Sequence, residues 1–530
     1  QYGALYKVTA ETRIAGESVP GLSSRKVTYV SGQGNNMRYE QYARLADGAW
    51  SMTDASSYEY DVENRWVKRT RANGRVYERM MTCCGPLWER DGNGVATSYC
   101  SNTARQLVET IRSAVADGET MITPETITSY TRDALGKITS LRRDAGPMTT
   151  VESREYDLLG RLIRETDILG RTTVRSYSGD GLVETVTTPA GATLITRKSP
   201  SGAVVRRYGT GQQDILYTVE ATAEGIRTTE AVPGGEGGAP RVVTGSSTVN
   251  GFGDLVRIAA ANTLNGENVR TLAYDDKGRL IREQLADMAP TLYAYDAFGN
   301  RTRAIVALED EPTILNSRIT DYAYVAESRE DGIYRLVSIT SYTSSGTPVL
   351  QKRAALLSAL SSVLAGKTVM TDPRGHDTVE WTEYGGGSVR LQKKTVPGVG
   401  SVALTRVVDG FTTAVTGFDG ATARRQRTYT ETGITYADTD VRGNVFTAVC
   451  DIAGRIISGT DAAGNTTTYA YAQPFDLPTC VTNALGKTAC SVYDIRGRKE
   501  AEWGTAIQPA VYAYDAAGHI VSLSTFRDPG

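Results

Sequence analysis

The sequence predicts an all-β fold of tandem β-hairpins, and three observations carry that prediction. A short unit, Tyr-Asp-x-x-Gly-(Arg/Asn)-(Leu/Ile), recurs along the chain, as in Tyr156-Asp157-Leu158-Leu159-Gly160-Arg161-Leu162. Its glycines keep a regular spacing: Gly443, Gly454 and Gly464 lie 11 and 10 residues apart, and Gly486, Gly497 and Gly518 follow at 22, 11 and 21. A period of about 21 is too short for helical repeats of about 33 residues or more, and it suits two strands of six to eight residues with their turns. Composition agrees. The 54 glycines imply many tight turns, and 29 tyrosines against 7 phenylalanines suit half-exposed sheet faces, where the ring packs and the hydroxyl stays wet.

Each part of the unit has a physical task. Full copies stand at Tyr156-Asp157, Tyr274-Asp275, Tyr295-Asp296, Tyr493-Asp494 and Tyr514-Asp515, and shorter D-x-x-G copies begin at Asp91, Asp133, Asp167, Asp372, Asp440, Asp451 and Asp461. The aspartate carboxylate accepts a hydrogen bond from the amide two residues on and starts the turn. The glycine supplies the positive φ that ends a three-residue hairpin loop of the type I plus G1-bulge kind. Asp157, Asp275, Asp296, Asp494 and Asp515 are therefore read as turn initiators, and Gly160, Gly278, Gly299, Gly497 and Gly518 as turn closers. Counting outward from the residue before each glycine, Tyr156 should oppose Leu162, Tyr274 should oppose Leu280, and Tyr514 should oppose Ile520. An aromatic across from a branched aliphatic is a favourable cross-strand pair. The flanks alternate as strands do, as in Thr466-Thr467-Thr468-Tyr469-Ala470-Tyr471.

The repeat is uneven along the chain. Residues 1–55 read as degenerate repeats or an N-terminal edge, residues 56–232 as a repeat array, and residues 241–530 as a second array continuous with the first. Between the arrays, residues 233–240 (PGGEGGAP) carry strong breakers and read as a long loop, with a division between subarrays as the other reading. Residues 354–366 place Leu356, Leu360 and Leu364 at four-residue spacing before Gly366, so a helix is one of two readings there, ahead of the strand-like Lys367-Thr368-Val369-Met370-Thr371.

Several function classes find no support in the residues. Lys+Arg is 58 and Asp+Glu is 60, a net charge of −2, so no basic surplus exists to neutralise phosphates and nucleic acid is not an expected partner. No apolar run approaches the roughly 20 residues that span a bilayer. The two histidines, His376 and His519, both follow a turn glycine, where Asn300, Asn465 and Arg161 stand in other copies, and are read as turn residues; no metal site is expected. The regularly spaced aspartates look like acid/base pairs only until the repeat explains them as turn initiators. No nucleophile elbow, phosphate loop or dinucleotide fingerprint is present. No catalytic residue and no cofactor are therefore expected.

The six cysteines are Cys83, Cys84, Cys100, Cys450, Cys480 and Cys490. Cys480 and Cys490 lie five residues to either side of Leu485, the centre of the turn Asn483-Ala484-Leu485-Gly486-Lys487. The hairpin register puts them opposite each other on one face, where a disulfide is geometrically reasonable. Cys84 and Cys100 flank the turn at residues 91–94 as diagonal neighbours, and adjacent Cys83 and Cys84 admit a vicinal disulfide. Buried free thiols in a reducing compartment are the plain alternative throughout.

In these motifs the sequence resembles the YD-repeat or Rhs family, which includes Rhs proteins, the cocoon subunits of insecticidal Tc toxins, wall-associated proteins and teneurins. The resemblance runs from about Tyr58 onward, and is clearest over residues 156–170, 274–301 and 440–520. It implies a long β-sheet ribbon that spirals into a hollow shell, and hence a non-catalytic structural role: a shell that encloses or displays an associated polypeptide or toxin domain. The expected partners are the remaining parts of a longer polypeptide or a cargo domain, and the expected location is secreted or on the cell surface. The alternative is a secreted or surface scaffold that binds glycans or surface proteins through exposed tyrosines. Many family members end in an aspartyl self-cleavage segment followed by a toxic domain, and neither is seen here. The chain stops at residues 528–530 soon after a strong repeat, so it reads as a part of a longer polypeptide or as a short member without cargo.

Overall fold

The structure is a computed structural model that describes residues 6–12, 24–45, 47–233, 242–262, 266–286, 288–308, 317–343, 345–359, 363–472 and 474–526. Every regular element among the described residues is a β-strand. The chain divides into two compact units, one formed by residues 1–125 and 272–425, the other by residues 126–271 and 426–530.

In each unit, successive strands pair antiparallel with their sequence neighbours. In the second unit, Met148–Tyr156 pairs with Leu162–Thr166, which pairs with Thr172–Tyr177, which pairs with Val183–Thr187. In the first unit, Ser24–Val30, Asn36–Arg44, Trp50–Tyr60 and Trp66–Arg71 follow the same rule. Register is as the hairpin count requires at two of these turns: Tyr156 opposes Leu162 and Tyr514 opposes Ile520. Each of these hairpins also carries a register shift one residue further from the turn. The extra residue twists the strand ends.

The interior is thin. Fully buried residues are mostly alanine and valine, such as Val27, Ala55, Ala145, Ala231 and Val408. In the first unit three small clusters form: Val95, Val115, Ile122, Val389 and Val408; Leu45, Ala326 and Ile333; and Tyr334, Ala354 and Val369. A sheet of this kind has two half-covered faces in place of one deep core, and that is where the tyrosine excess goes. Tyr156, Tyr177, Tyr295, Tyr471, Tyr493 and Tyr514 are all half-buried.

Two expectations change. The helical reading of residues 354–366 gives way to strands Pro348–Ala359 and Leu364–Thr371, with residues 360–362 outside the described residues. Ala354 lies opposite Leu336 on one side and Val369 on the other, so two ladders of hydrogen bonds outweigh the leucine spacing. A small second sheet, Val115–Asp117 with Thr120–Thr123, was not anticipated. The breaker-rich segment read as a loop lies, apart from Pro233, outside the described residues.

Candidate functional site

The repeating turn is built many times over among the described residues, and its geometry explains which residues the motif contains. At residues 157–161 the Asp157 amide donates to the Arg161 carbonyl (2.9 Å) and the Gly160 amide to the Asp157 carbonyl (2.8 Å). Asp157 Oδ1 accepts from the amides of Leu159 (3.0 Å) and Arg161 (2.8 Å). Asp275, Asp296, Asp494 and Asp515 accept in the same way from the amide four residues on, at 2.9, 2.9, 3.0 and 2.8 Å. Gly160, Gly278, Gly299, Gly497 and Gly518 have φ of 75°, 73°, 84°, 78° and 97°, a left-handed backbone in which a Cβ is disfavoured. Asn64 and Arg105 hold the same position at φ 61°. The residue after the glycine closes the unit: Arg161 Nε donates to Asp157 Oδ2 (2.7 Å) and Asn300 Nδ2 to Asp296 Oδ2 (2.9 Å). His376 and His519 bring Nδ1 to 3.2 and 3.0 Å from their own turn aspartates, so both belong to turns. The Arg279 guanidinium and two backbone amides hold the Asp275 carboxyl down to about 2.

A second layer of the motif connects one hairpin to the next, and sequence reasoning missed it. Arg161 lies 4.3 Å from the ring centroid of Tyr177, and the Tyr177 hydroxyl donates to the Leu162 carbonyl at 3.1 Å. Arg279 and Tyr295, Arg455 and Tyr471, and Arg498 and Tyr514 repeat the contact at 5.0, 4.6 and 4.5 Å. The three hydroxyls donate to Leu280, Ile456 and Lys499 carbonyls at 2.8, 2.9 and 2.7 Å. Tyr, Arg and the backbone carbonyl of the residue after the Arg are thus parts of one clamp that joins neighbouring hairpins. The signal was present as the 21-residue interval between Tyr156 and Tyr177, but it shows only when the tyrosine is counted against the preceding turn.

Because strands alternate in direction, alternate turns emerge at opposite ends of the strands. In the second unit, the turns after Tyr156, Tyr471, Tyr493 and Tyr514 form one edge, called here the Tyr edge. The turns between Thr166 and Thr172 and between Thr460 and Thr466 form the other, the Thr edge, where the paired hydroxyls are 3.1 and 2.9 Å apart. Within this unit the two edges touch. Arg171, at a Thr-edge turn, donates to the Pro474 carbonyl (3.3 Å) and to Asp476 Oδ1 (2.8 Å), in the Tyr-edge turn after Tyr471. Arg496, at a Tyr-edge tip, donates to the carbonyls of Thr210 (2.7 Å) and Gln212 (3.3 Å), between strands Val204–Tyr208 and Ile215–Thr222.

The first unit also has a contact across a long sequence separation, between the ribbon and the small second sheet. Arg406 donates to both Asp117 oxygens (2.8 and 2.5 Å), while Arg112 and Thr123 donate to Asp409 (2.6 and 2.7 Å). The Arg406 guanidinium holds the Asp117 carboxyl below its ordinary range. The unanticipated small sheet is the reason: it carries Asp117 and Thr123 to the tip formed by Asp409 and Gly410, and it buries Val115 and Ile122 against Val389 and Val408.

The cysteines fall into two groups. Cys480 lies opposite Cys490, Cα atoms 3.9 Å apart, with the sulfurs joined. Cys83, Cys84 and Cys100 are free and exposed, and Cys450 is free and buried. Among the described residues no group of His, Cys, Asp and Glu could hold a metal ion. No helix among them is long and apolar enough to cross a membrane.

Ladder, turn and clamp define an antiparallel β-hairpin repeat protein. Comparison places the repeat more closely: residues 156–193 match the RHS Repeat family model, and this span contains the Asp157 turn and the Tyr177 clamp described above. No curated protein matches the chain. Among solved structures, a crystal structure of TcdB2-TccC3 is similar at 11% identity over 89% of this chain and 30% of that one, with a TM-score of 0.32. TcdB2-TccC3-TEV is similar at 11% identity over 96% and 35%, with a TM-score of 0.34. The Photorhabdus luminescens Tc holotoxin pore is similar at 12% identity over 96% and 30%, with a TM-score of 0.32. The chain spans 30–35% of the length of these structures.

Proposed function

We propose that the chain is a stretch of non-catalytic wall, a Rhs-type ribbon that encloses or displays an associated polypeptide, in a protein that works outside the cytoplasm. One observation supports this reading most. In the second unit one edge of the ribbon seats on another far away in sequence, Arg171 on Asp476 across 305 residues, and in the first a ribbon strand holds the small second sheet, Arg406 on Asp117 across 289. A blade needs no such contact, whereas a wall requires edge-on-edge closure. The motif residues support the same reading, because the repeated polar groups are used up in turns and clamps. The ladder tyrosines bond the neighbouring hairpin and carry an arginine on the ring, which leaves the alternative of glycan or surface-protein binding through tyrosine with less support.

The test is protease protection. The full reading frame that contains this chain is expressed, and the polypeptide encoded beside it is followed under limited proteolysis. The wall reading expects that polypeptide to survive while the chain is intact and to be digested once the chain is unfolded. Digestion at the rate of the free polypeptide in both cases would refute enclosure.

A further inference from the structure

Two cysteines stand side by side at the tip of one hairpin in the first unit, and the turn does not require them. Strand Val76–Thr82 runs into Cys83-Cys84 and returns as Gly85–Arg90, with Thr82 opposite Gly85. The Thr82 hydroxyl donates to the Gly85 carbonyl (2.9 Å) and accepts from the Cys84 amide (3.2 Å). Two further turns close by the same hydroxyl bond, Thr222 to Gly225 at 3.0 Å and Thr430 to Gly433 at 3.1 Å. Their middle residues are Ala223-Glu224 and Glu431-Thr432, so this backbone accepts quite different side chains. Packing does not call for cysteine either. Free cysteine is ordinarily among the most buried residue types, as Cys450 is, whereas Cys83 and Cys84 are both free and exposed.

The surroundings give the two sulfurs different parts. Arg65 donates to the Thr82 carbonyl, and its guanidinium, which also holds Asp61 and Glu63, interacts electrostatically with Cys83. The thiolate is the nucleophile in disulfide exchange, and a neighbouring arginine favours it. Cys84 lies near Arg105, yet the side chain of Cys83 pushes its thiol up, chiefly by hydrogen bonding. Cys83 is therefore placed to attack, and Cys84, the adjacent sulfur, to follow.

We propose that Cys83 and Cys84 form a reversible dithiol–disulfide pair that exchanges with small disulfides of the glutathione class. Cys83 Sγ attacks one sulfur of the small disulfide, whose S–S bond breaks. One small thiol leaves, and Cys83 is held as a mixed disulfide. Cys84 Sγ then attacks Cys83 Sγ, the mixed bond breaks and the second small thiol leaves. Two protein thiols are oxidised to one Cys83–Cys84 bond, one small disulfide is reduced to two thiols, and both protons pass from the protein sulfurs to the departing ones. The product closes a small ring around one peptide bond, whose planarity resists closure, so the bond is strained and readily reduced. The bond between Cys480 and Cys490 instead links facing strands across a ladder. The chain thus carries one fixed bond and one labile one. This goes beyond the wall reading and does not depend on it.

The test uses the full chain with Cys480 and Cys490 joined and its other cysteines reduced. It is equilibrated with oxidised glutathione, trapped by alkylation and digested with trypsin. Residues 80–90 then form one peptide, which carries Cys83 and Cys84 and no other cysteine. Mass spectrometry should find this peptide unalkylated and lighter by the two thiol hydrogens. Excess reduced glutathione should restore two alkylated thiols while Cys480 and Cys490 stay joined. Cys84→Ser should stop at a mixed disulfide on Cys83, and should form it faster than Cys83→Ser forms one on Cys84. Serine suits a turn whose other copies hold Ala, Glu and Thr, so both variants should fold. A parent peptide that keeps two alkylated thiols, or that stops at a mixed disulfide, overturns the proposal. So does a Cys83–Cys84 bond that opens only together with the bond between Cys480 and Cys490. Equal or reversed rates in the two serine variants overturn the assignment of Cys83 as the attacking sulfur.

Discussion

The Arg161 guanidinium lies 4.3 Å from the ring centroid of Tyr177, while the Tyr177 hydroxyl reaches back to the carbonyl of Leu162, the residue next to that arginine. The same arginine is bound to Asp157. One side chain therefore closes its own turn and fastens the following hairpin. An isolated two-stranded hairpin is marginal in water, so a ribbon depends on such links.

Removing the hydroxyl alone should be measurable. Tyr177→Phe keeps the ring under Arg161 and loses one hydrogen bond, for a destabilisation of about 0.5–1.5 kcal/mol. Arg161→Ala should cost more, because it also removes the guanidinium from the Asp157 carboxylate and leaves it only its backbone amides. Urea melts of the two single variants and the double variant would show a double loss smaller than the sum, since both act on one clamp. Strict additivity would separate the turn from the clamp.

The turn glycines should resist substitution. Gly160→Val and Gly497→Val force a β-branched residue to φ 75° and 78°, at a cost of about 1–3 kcal/mol each. At Gly497 the new Cβ would also meet the Phe475 ring at 3.4 Å. The converse holds at Arg105, a non-glycine residue at φ 61° in the same kind of turn. Arg105→Gly should raise the melting temperature. Thermal denaturation of the three variants decides, and glycine variants that melt with the parent would undo the turn assignment.

Acid should loosen the turns from within. Asp275 is held at about 2 against an ordinary value of 3.8, first by Arg279 and then by backbone amides. Asp157 is shifted in the same direction, first by the Arg161 amide. A carboxyl with a depressed folded value contributes stability that is fully present above its unfolded value and is lost as pH falls through the folded value. Stability should therefore be flat above pH about 5 and fall between pH about 4 and 2. Asp275→Asn should reduce that slope in a urea series across pH. An unchanged slope would remove Asp275 from the acid response.

The bond between Cys480 and Cys490 should be present in protein made in an oxidising compartment. Non-reducing peptide mapping would find the two cysteines in one linked peptide. The bond closes a sequence separation of only 10 residues, so reduction should cost about 2–3 kcal/mol, the small end of the chain-entropy range. Two free thiols after oxidative expression would refute the pairing.

Much of this architecture is legible in the sequence for a physical reason. A turn that needs positive φ at one position and an acceptor three residues earlier restricts both sites to a few residue types, and copies at a fixed period expose it. Gly160 with Asp157, and Cys480 opposite Cys490, follow from local counting. What escapes is contact over long separations. Nothing near Arg171 announces Asp476, and nothing near Asp117 announces Arg406, because arginine and aspartate are common everywhere in the chain. The helical reading of residues 354–366 fails for a related reason: leucines four apart suit a helix, but Ala354 and Ala355 have pairing partners on both sides, which favour a strand.

The central claim is that distant stretches of the ribbon lie edge to edge. Spin labels at positions 174 and 477, introduced as cysteines in a chain whose four free cysteines are replaced by serine, test it directly and leave Arg171 and Asp476 in place. They flank Arg171 and Asp476, which are 305 residues apart in sequence and in hydrogen-bond contact. A single narrow distribution at short distance is the expected result, and a broad distribution centred at long distance would contradict the account.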